Sequence, residues 1–321
     1  MKRLGALLLI VLAIAGCSKQ AAKSERISIA VIPKGTMHEF WKTVHAGAVK
    51  ASRELDVDVI WKGPIKEDDR DAQIAVVEDF ISKGVSGIVL APLDDAALRA
   101  PVANATKTGI PVVIFDSGLR GSDFISFVAT DNFKGGQIAG EHLAKLLNGK
   151  GSVIMLRYSE GSNSTMEREK GFLDAVSKHT GLKVISSNQY GGVTPESAYK
   201  ASENLLSRFK DVDGIFCPNE STTFGMLRAL QDGGFAGKIK FVGFDGSKQL
   251  IDGLKRGQID GLVLQNPMKM GYMAVKTLVQ SLRGQQVEKR IDTGATLVTP
   301  QNMNDPEMKA LLKPDLEKWL K

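Results

Sequence analysis

Ten short runs of apolar, strand-favouring residues punctuate this chain, with segments of helical apolar spacing between most of them. The runs are Ile27–Pro33, Val57–Trp61, Gly87–Ala91, Val112–Phe115 and Ile125–Val128, then Ser152–Leu156, Lys183–Ser187, Gly214–Cys217, Ile239–Phe244 and Gly261–Gln265. Helical spacing fills Phe40 to Leu55, Ala72 to Ile81 and Ala198 to Phe209. A strand that is hydrophobic on both faces must be covered on both faces. That is the condition of a parallel sheet with helices above and below, joined by right-handed crossovers. The 321 residues suffice for two domains of ordinary size. A hydrophobic fraction of 43% and a charged fraction of 24% exclude disorder, collagen and coiled coil.

The runs also repeat. Gly87-Ile88-Val89-Leu90-Ala91-Pro92 is echoed by Gly214-Ile215-Phe216-Cys217-Pro218-Asn219, and Val113-Ile114-Phe115-Asp116 by Val242-Gly243-Phe244-Asp245, at offsets of 127 and 129 residues. Ile27–Ile32 and Val153–Leu156 match more loosely at a similar offset. A near-constant offset predicts two copies of one α/β unit. The expected fold is therefore two similar doubly wound, Rossmann-like parallel-sheet lobes.

The amino terminus addresses the chain. Met1-Lys2-Arg3 is a short basic start, and Leu4 to Ala15 is uncharged and apolar. This run is too short to span a bilayer and has the layout of a secretory leader. Ile14-Ala15-Gly16-Cys17 resembles the lipobox of bacterial lipoproteins, which implies cleavage after residue 16 and lipidation of Cys17. Residues 17–25 read as a small, polar tether. Cys217, left alone on an apolar strand, reads as a packing residue. Loss of Lys2 and Arg3 lowers the formal charge of +6 by two, and no run of five like charges occurs, so nothing argues for nucleic acid.

Asp116 and Asp245 each close an apolar run at its carboxyl end. Ligands bind at that edge of open parallel sheets. A carboxylate there is costly unless paired or hydrogen-bonded. The bland reading, in which each aspartate caps the next helix or turn, stays open for either one alone. Lys34, Asn219 and Gln265 occupy similar strand ends, and Phe40, Trp41 and Arg168 sit near helix starts. Carboxylates that accept from vicinal hydroxyls, donors beside them and flat aromatic faces suit a polyhydroxylated ligand.

As a set these residues carry a resemblance. From Ile27 to about Val298 the chain is similar to the type I periplasmic sugar-binding proteins, ribose binders above all. The resemblance implies that Phe40 and Trp41 cover one face of a sugar, that Asp116 and Asp245 take its hydroxyls, and that Arg168, Asn219 and Gln265 complete the site. There are departures. Ser117 follows Asp116 where ribose binders have arginine, His38 replaces an asparagine and Lys34 a serine. Gly192 stands where an aromatic residue of the second lobe would be, with Tyr190 close by. A small monosaccharide, ribose-like or related, is the expected ligand. Lys34 after Ile29-Ala30-Val31-Ile32-Pro33 also resembles binders of a furanose-like quorum signal, in which a strand-end lysine touches the ligand.

The resemblance further implies a periplasmic binding protein type I hinge of three segments. Crossings are expected near Thr130-Asp131, Gln265-Asn266 and Thr293-Gly294. They divide the chain into an N-terminal lobe of residues 26–130 plus 266–293 and a C-terminal lobe of 131–265 plus 294–321. Asp305–Leu320 reads as a terminal amphipathic helix. The implied protein is a monomeric, exported, lipid-anchored receptor that delivers sugar to an ABC-type permease. The alternative is a sensor lipoprotein serving a chemoreceptor or sensor kinase. No cofactor is implied. His38, His45, His142 and His179 lack metal-ligand spacing. A glycosidase pair would need two carboxyls with distinct environments, whereas Asp116 and Asp245 read as two solvent-edge acceptors.

Overall fold

Each of the ten apolar runs forms a strand, and two further strands follow them. The computed structural model describes residues 26–320; the leader 1–16, the tether 17–25 and Cys17 lie outside the described residues. Strands β1 (Ser28–Ile32), β2 (Asp58–Trp61), β3 (Gly87–Leu90), β4 (Val112–Phe115), β5 (Ser126–Ala129) and β11 (Arg290–Asp292) make one sheet, in the order β2-β1-β3-β4-β5-β11. Strands β6 (Lys150–Met155), β7 (Gly181–Ser186), β8 (Gly214–Phe216), β9 (Lys240–Phe244), β10 (Gly261–Gln265) and β12 (Ala295–Val298) make the other, in the order β7-β6-β8-β9-β10-β12. The two orders are the same, so the sequence repeat is a repeat of architecture. Both sheets are doubly wound α/β layers.

Period-two alternation divides each strand between two cores. Ile29 and Val31 of β1 face one side of their sheet, Ala30 and Ile32 the other. In β6, Ile154 faces one side and Val153 and Met155 the other. Helices α1 (Glu39–Leu55) and α9 (Pro267–Leu282) cover one face of the first sheet, and α2 (Arg70–Ser82) and α3 (Arg99–Lys107) cover the other. In the second sheet α4 (Asn132–Leu146) and α5 (Asn163–Ser177) cover one face. Helices α6 (Pro195–Arg208), α7 (Glu220–Asp232) and α8 (Lys248–Lys255) cover the opposite face.

Glycines let the paired helices α1/α9 and α4/α5 touch backbone to backbone. A Cβ at Gly47 would strike the Met268 carbonyl, and one at Gly271 would strike the Val44 carbonyl. The equivalent pair in the other half repeats this. A Cβ at Gly136 meets the Arg168 carbonyl, and one at Gly171 meets that of Phe133.

The chain passes between the sheets three times. It leaves β5 for α4 at Thr130-Asp131, returns from β10 to α9 at Asn266, and leaves β11 for β12 at Thr293-Gly294. The first and third passages are tied. Thr130 Oγ1 donates to the Gly294 carbonyl at 3.1 Å and Asp131 N–H to Asp292 Oδ1 at 3.1 Å. β12 runs antiparallel to β10, against the parallel expectation. It enters its sheet at the edge where the other strands end, so it must run away from that edge.

The terminal helix is shorter than its apolar pattern suggested. α10 covers Pro306–Leu312 only, because Pro314 cannot continue it. The chain then turns onto α1, where Arg53 donates to the carbonyls of Lys318 and Trp319 at 3.1 and 3.2 Å.

Gly271→Ala is expected to force α9 off α1 and lower stability by about 1–3 kcal/mol, the usual cost of overpacking. Urea unfolding measures it. A midpoint equal to that of wild type would mean the helices separate freely.

Candidate functional site

Asp116 follows β4 and Asp245 follows β9, and both residues adopt left-handed backbone, with φ of 61° and 67°. This conformation is uncommon outside glycine and costs roughly 1–2 kcal/mol for an L-residue. Each is pinned the same way: Asp116 N–H donates to Val128 O at 3.0 Å, and Asp245 N–H to Val263 O at 2.9 Å, one strand over. Neither side chain caps a helix. The N-cap of α8 is Ser247, and α4 is capped by Asp131. The helix-cap reading of the two aspartates is thereby set aside.

Both carboxylates instead line one narrow, enclosed polar cavity between the two sheets. Lys34, His38, Phe40, Trp41, Arg168, Asn219 and Gln265 line it too. The aspartates are not at a solvent edge: Asp116 is 3% and Asp245 7% exposed. The opposing sheet covers each, which is why strand-end position alone misjudged their exposure. Burial raises both carboxyls above the ordinary range. Lys34 and Arg168 oppose this at Asp116, and Arg168 and Gln265 oppose it at Asp245. The two acidities move in one direction rather than apart.

Every buried cation here already faces an anion. Lys34 Nζ lies 3.4 Å from Asp116 Oδ2 and donates to Ser162 Oγ and Ser164 Oγ at 3.1 and 2.8 Å. Arg168 stands 3.8 Å from Asp245 Oδ2 and donates to Asn132 Oδ1 and Pro218 O, both at 2.9 Å. Its guanidinium also lies over the Phe244 ring, 4.0 Å from the centroid. Gln265, the last residue of β10, donates to Asp245 Oδ1 at 2.8 Å. Its own Oε1 is buried with no protein partner. Asn219 lines the cavity but spends its amide locally: Oδ1 accepts from Thr222 N–H and Nδ2 donates to Ser221 Oγ, capping α7.

Residues that the sequence reading passed over complete the wall. Glu67, in the loop after β2, accepts from Trp41 Nε1 at 2.8 Å, His38 Nδ1 at 2.7 Å and Tyr158 Oη at 2.9 Å. Tyr158 and Glu220 also line the cavity, as do Ser164 and Thr165. Two expected residues do not. Tyr190 lies outside, its ring under Arg157 at 4.7 Å, and Tyr158 is the second half's aromatic wall instead. Ser117 is fully buried beneath the wall, where its Oγ accepts from Ser164 N–H at 3.1 Å. Tyr158 lies three residues past β6 and Lys34 two past β1, so the strand-end rule had the signal for it. Glu67 gave none, since it sits in a charged run that reads as solvated loop.

Burial works against a charged His38. The adjacent Glu67 carboxylate outweighs it, helped by Glu220 and the Val193 carbonyl, and raises the imidazolium to about 9 from 6.5. Burial would likewise raise Glu67, but His38, Lys34 and Trp41 hold it at about 2. Among the described residues no cluster of His, Cys, Asp or Glu is placed to hold a metal. No helix there is long and apolar enough to cross a membrane.

Known proteins share this fold. Residues 29–286 match the profile of the periplasmic binding protein domain. The chain is 29% identical over 299 residues to the ribose import binding protein RbsB of Haemophilus influenzae, covering 93% of this chain and 100% of the relative. It is 30% identical over 292 residues to a D-ribose/D-allose-binding protein of Pseudomonas aeruginosa, covering 87% and 91%. A carbohydrate transporter solute-binding protein of Agrobacterium radiobacter, crystallised with D-arabinose, superposes with a TM-score of 0.87 at 34% identity, over 90% of this chain and 100% of that one. One from Agrobacterium vitis with D-fucose gives 0.86 at 34%, over 89% and 100%.

The His38–Glu67 pair sets a pH dependence. A raised histidine pKa contributes stability that is whole below its unfolded value of 6.5 and fades as pH climbs through about 9. The difference in Tm between wild type and His38→Gln should therefore be largest near pH 6 and shrink by pH 9–10. A constant gap across that range would refute the charged pair.

Proposed function

The chain belongs to the periplasmic binding protein family, and on that premise we propose that it is the exported sugar receptor of an ABC transporter. It closes around a small, uncharged monosaccharide and delivers it unchanged to a membrane permease. Two carboxylates, one from each sheet, in a single cavity whose cations are already matched carry this reading. A phosphate or carboxylate on the ligand would enter without a free cation to meet it, and burying an unpaired charge is costly. A neutral polyol meets acceptors at Asp116, Asp245 and the unpartnered Gln265 Oε1. The aromatic pair Phe40 and Trp41 offers a wall for its C–H face.

The relatives' names point the same way, with ribose, allose, arabinose and fucose among their ligands. The furanose-signal reading leaned on Lys34. The three donors of that ammonium are directed at Ser162, Ser164 and Asp116, so it is not the group left over for a ligand.

Sugar contacts both halves only when they meet, so its binding shifts the population toward the closed form, which the permease reads. The lobes are 26–130 plus 266–293 and 131–265 plus 294–321, and the three passages between sheets are the hinge. The receptor works as a monomer, without cofactor or catalysis. Cys17, lipidated after removal of residues 1–16, holds it to a membrane, and residues 17–25 tether it.

A thermal-shift screen with D-arabinose, D-ribose, D-allose and D-fucose tests the ligand. At least one should raise the Tm of wild type. In Asp245→Ala its affinity should fall about ten- to a hundredfold, the worth of a charged hydrogen bond, with the far-ultraviolet dichroism intact. No shift by any sugar, or an equal shift in the variant, refutes the site.

For the anchor, Cys17→Ser should move the protein from the membrane fraction to the soluble one. Continued sedimentation with membranes would exclude lipidation.

A further inference from the structure

Three helices that open toward the cleft begin without a cap of their own. His38, Ser162 and Ser247 are the N-cap residues of α1, α5 and α8, and none makes a side-chain cap hydrogen bond. The first N–H groups of a helix have no acceptor within it. In each of the three, an oxygen from the opposite side of the cleft fills the gap.

Glu220, the first residue of α7, accepts from Glu39 N–H and Phe40 N–H of α1, both at 3.2 Å. Glu39, the first residue of α1, accepts in turn from Lys248 N–H of α8 at 3.3 Å. Ser117, after β4, accepts from Ser164 N–H of α5 at 3.1 Å. By contrast, α2, α4, α6, α7 and α9 are capped by their own N-cap residues. A carboxylate at a helix N-terminus also gains from the helix dipole.

We propose that Glu39, Ser117 and Glu220 are positioning residues that cap these helices in trans. The caps form only when the lobes meet, so they draw the lobes together before sugar arrives and populate a closed form in its absence. They also set Phe40, on the first turn of α1, against the cavity. This inference rests on the lobe motion proposed above, but not on the identity of the ligand. It accounts for Ser117 and Glu39, which line no part of the sugar cavity.

The test uses no sugar. Small-angle scattering of the ligand-free protein should resolve closed and open populations in wild type. Glu39→Ala and Ser117→Ala should each lower the closed-to-open ratio roughly fivefold, an N-cap's usual worth of about 1 kcal/mol converted at 1.4 kcal/mol per decade. Hydrogen exchange should quicken at the first turn of α8 in Glu39→Ala and of α5 in Ser117→Ala, with other helix starts unchanged. Glu39→Gln keeps an acceptor oxygen and should restore much of the closed population. A ratio and first-turn exchange equal to wild type in both alanine variants overturn the proposal. So does a wild-type chain that is wholly open without sugar, or one whose population does not change in any variant. A failed sugar screen leaves these outcomes untouched.

Discussion

A carboxylate buried at the carboxyl edge of a parallel sheet needs a cation or a donor close by, and this chain has two such carboxylates facing each other. Asp116 and Asp245 cannot satisfy themselves from their own strands, whose N–H groups are spent in the ladder. Lys34 and Arg168 therefore come to them, each 3% or less exposed, and further partners come to those. Ser162 and Ser164 hold Lys34, while Asn132 and the Pro218 carbonyl hold Arg168. The polar centre is thus a chain of obligations that starts at two strained backbone positions. Its open end is Gln265 Oε1, which the protein leaves for something else to satisfy.

The same duplication that places the aspartates also sets how the two halves are built inside. Equivalent helix pairs cross on glycines in both, at Gly47 and Gly271 and again at Gly136 and Gly171. Close helix contact at these points keeps α1 and α5 fixed relative to their sheets. That matters because α1 carries Phe40 and Trp41, and α5 carries Arg168. Rigid lobes then let a small rotation at three short passages bring the two walls together as units. Hydrogen bonds that cross the cleft, such as those Lys34 donates to Ser162 and Ser164, hold the two walls together in that arrangement.

Much of this was legible in the chain. Continuous hydrophobic runs mark two-sided burial whatever their neighbours, so all ten expected strands formed. The register of Asp116 with Asp245 survived because a duplicated unit keeps its strand ends. β11 and β12 were not legible: three and four residues of mixed polarity carry no pattern, and they are strands only because β5 and β10 leave an edge open beside them. The candidate site divides in the same way. Lys34, Phe40, Trp41, Asn219 and Gln265 announce themselves by strand-end or helix-start position, and His38 by the family resemblance, while Arg168, read as near a helix start, lies on the second turn of α5. Glu67 does not, because a carboxylate in a charged loop looks solvated until the fold turns it inward against His38, Trp41 and Tyr158.

The class of fold, its duplication and the edge at which polar chemistry gathers can all be read along the chain. Local apolar periodicity and strand-end residues are properties of neighbouring positions along the chain. Which groups become partners followed from how the chain folds back on itself. That folding seated Tyr158 in the wall and left Tyr190 outside, made Ser117 a cap rather than a lining residue, and joined His38 to Glu67. Those choices depend on contacts between residues tens of positions apart, where burial and charge pairing, not sequence proximity, select the partner.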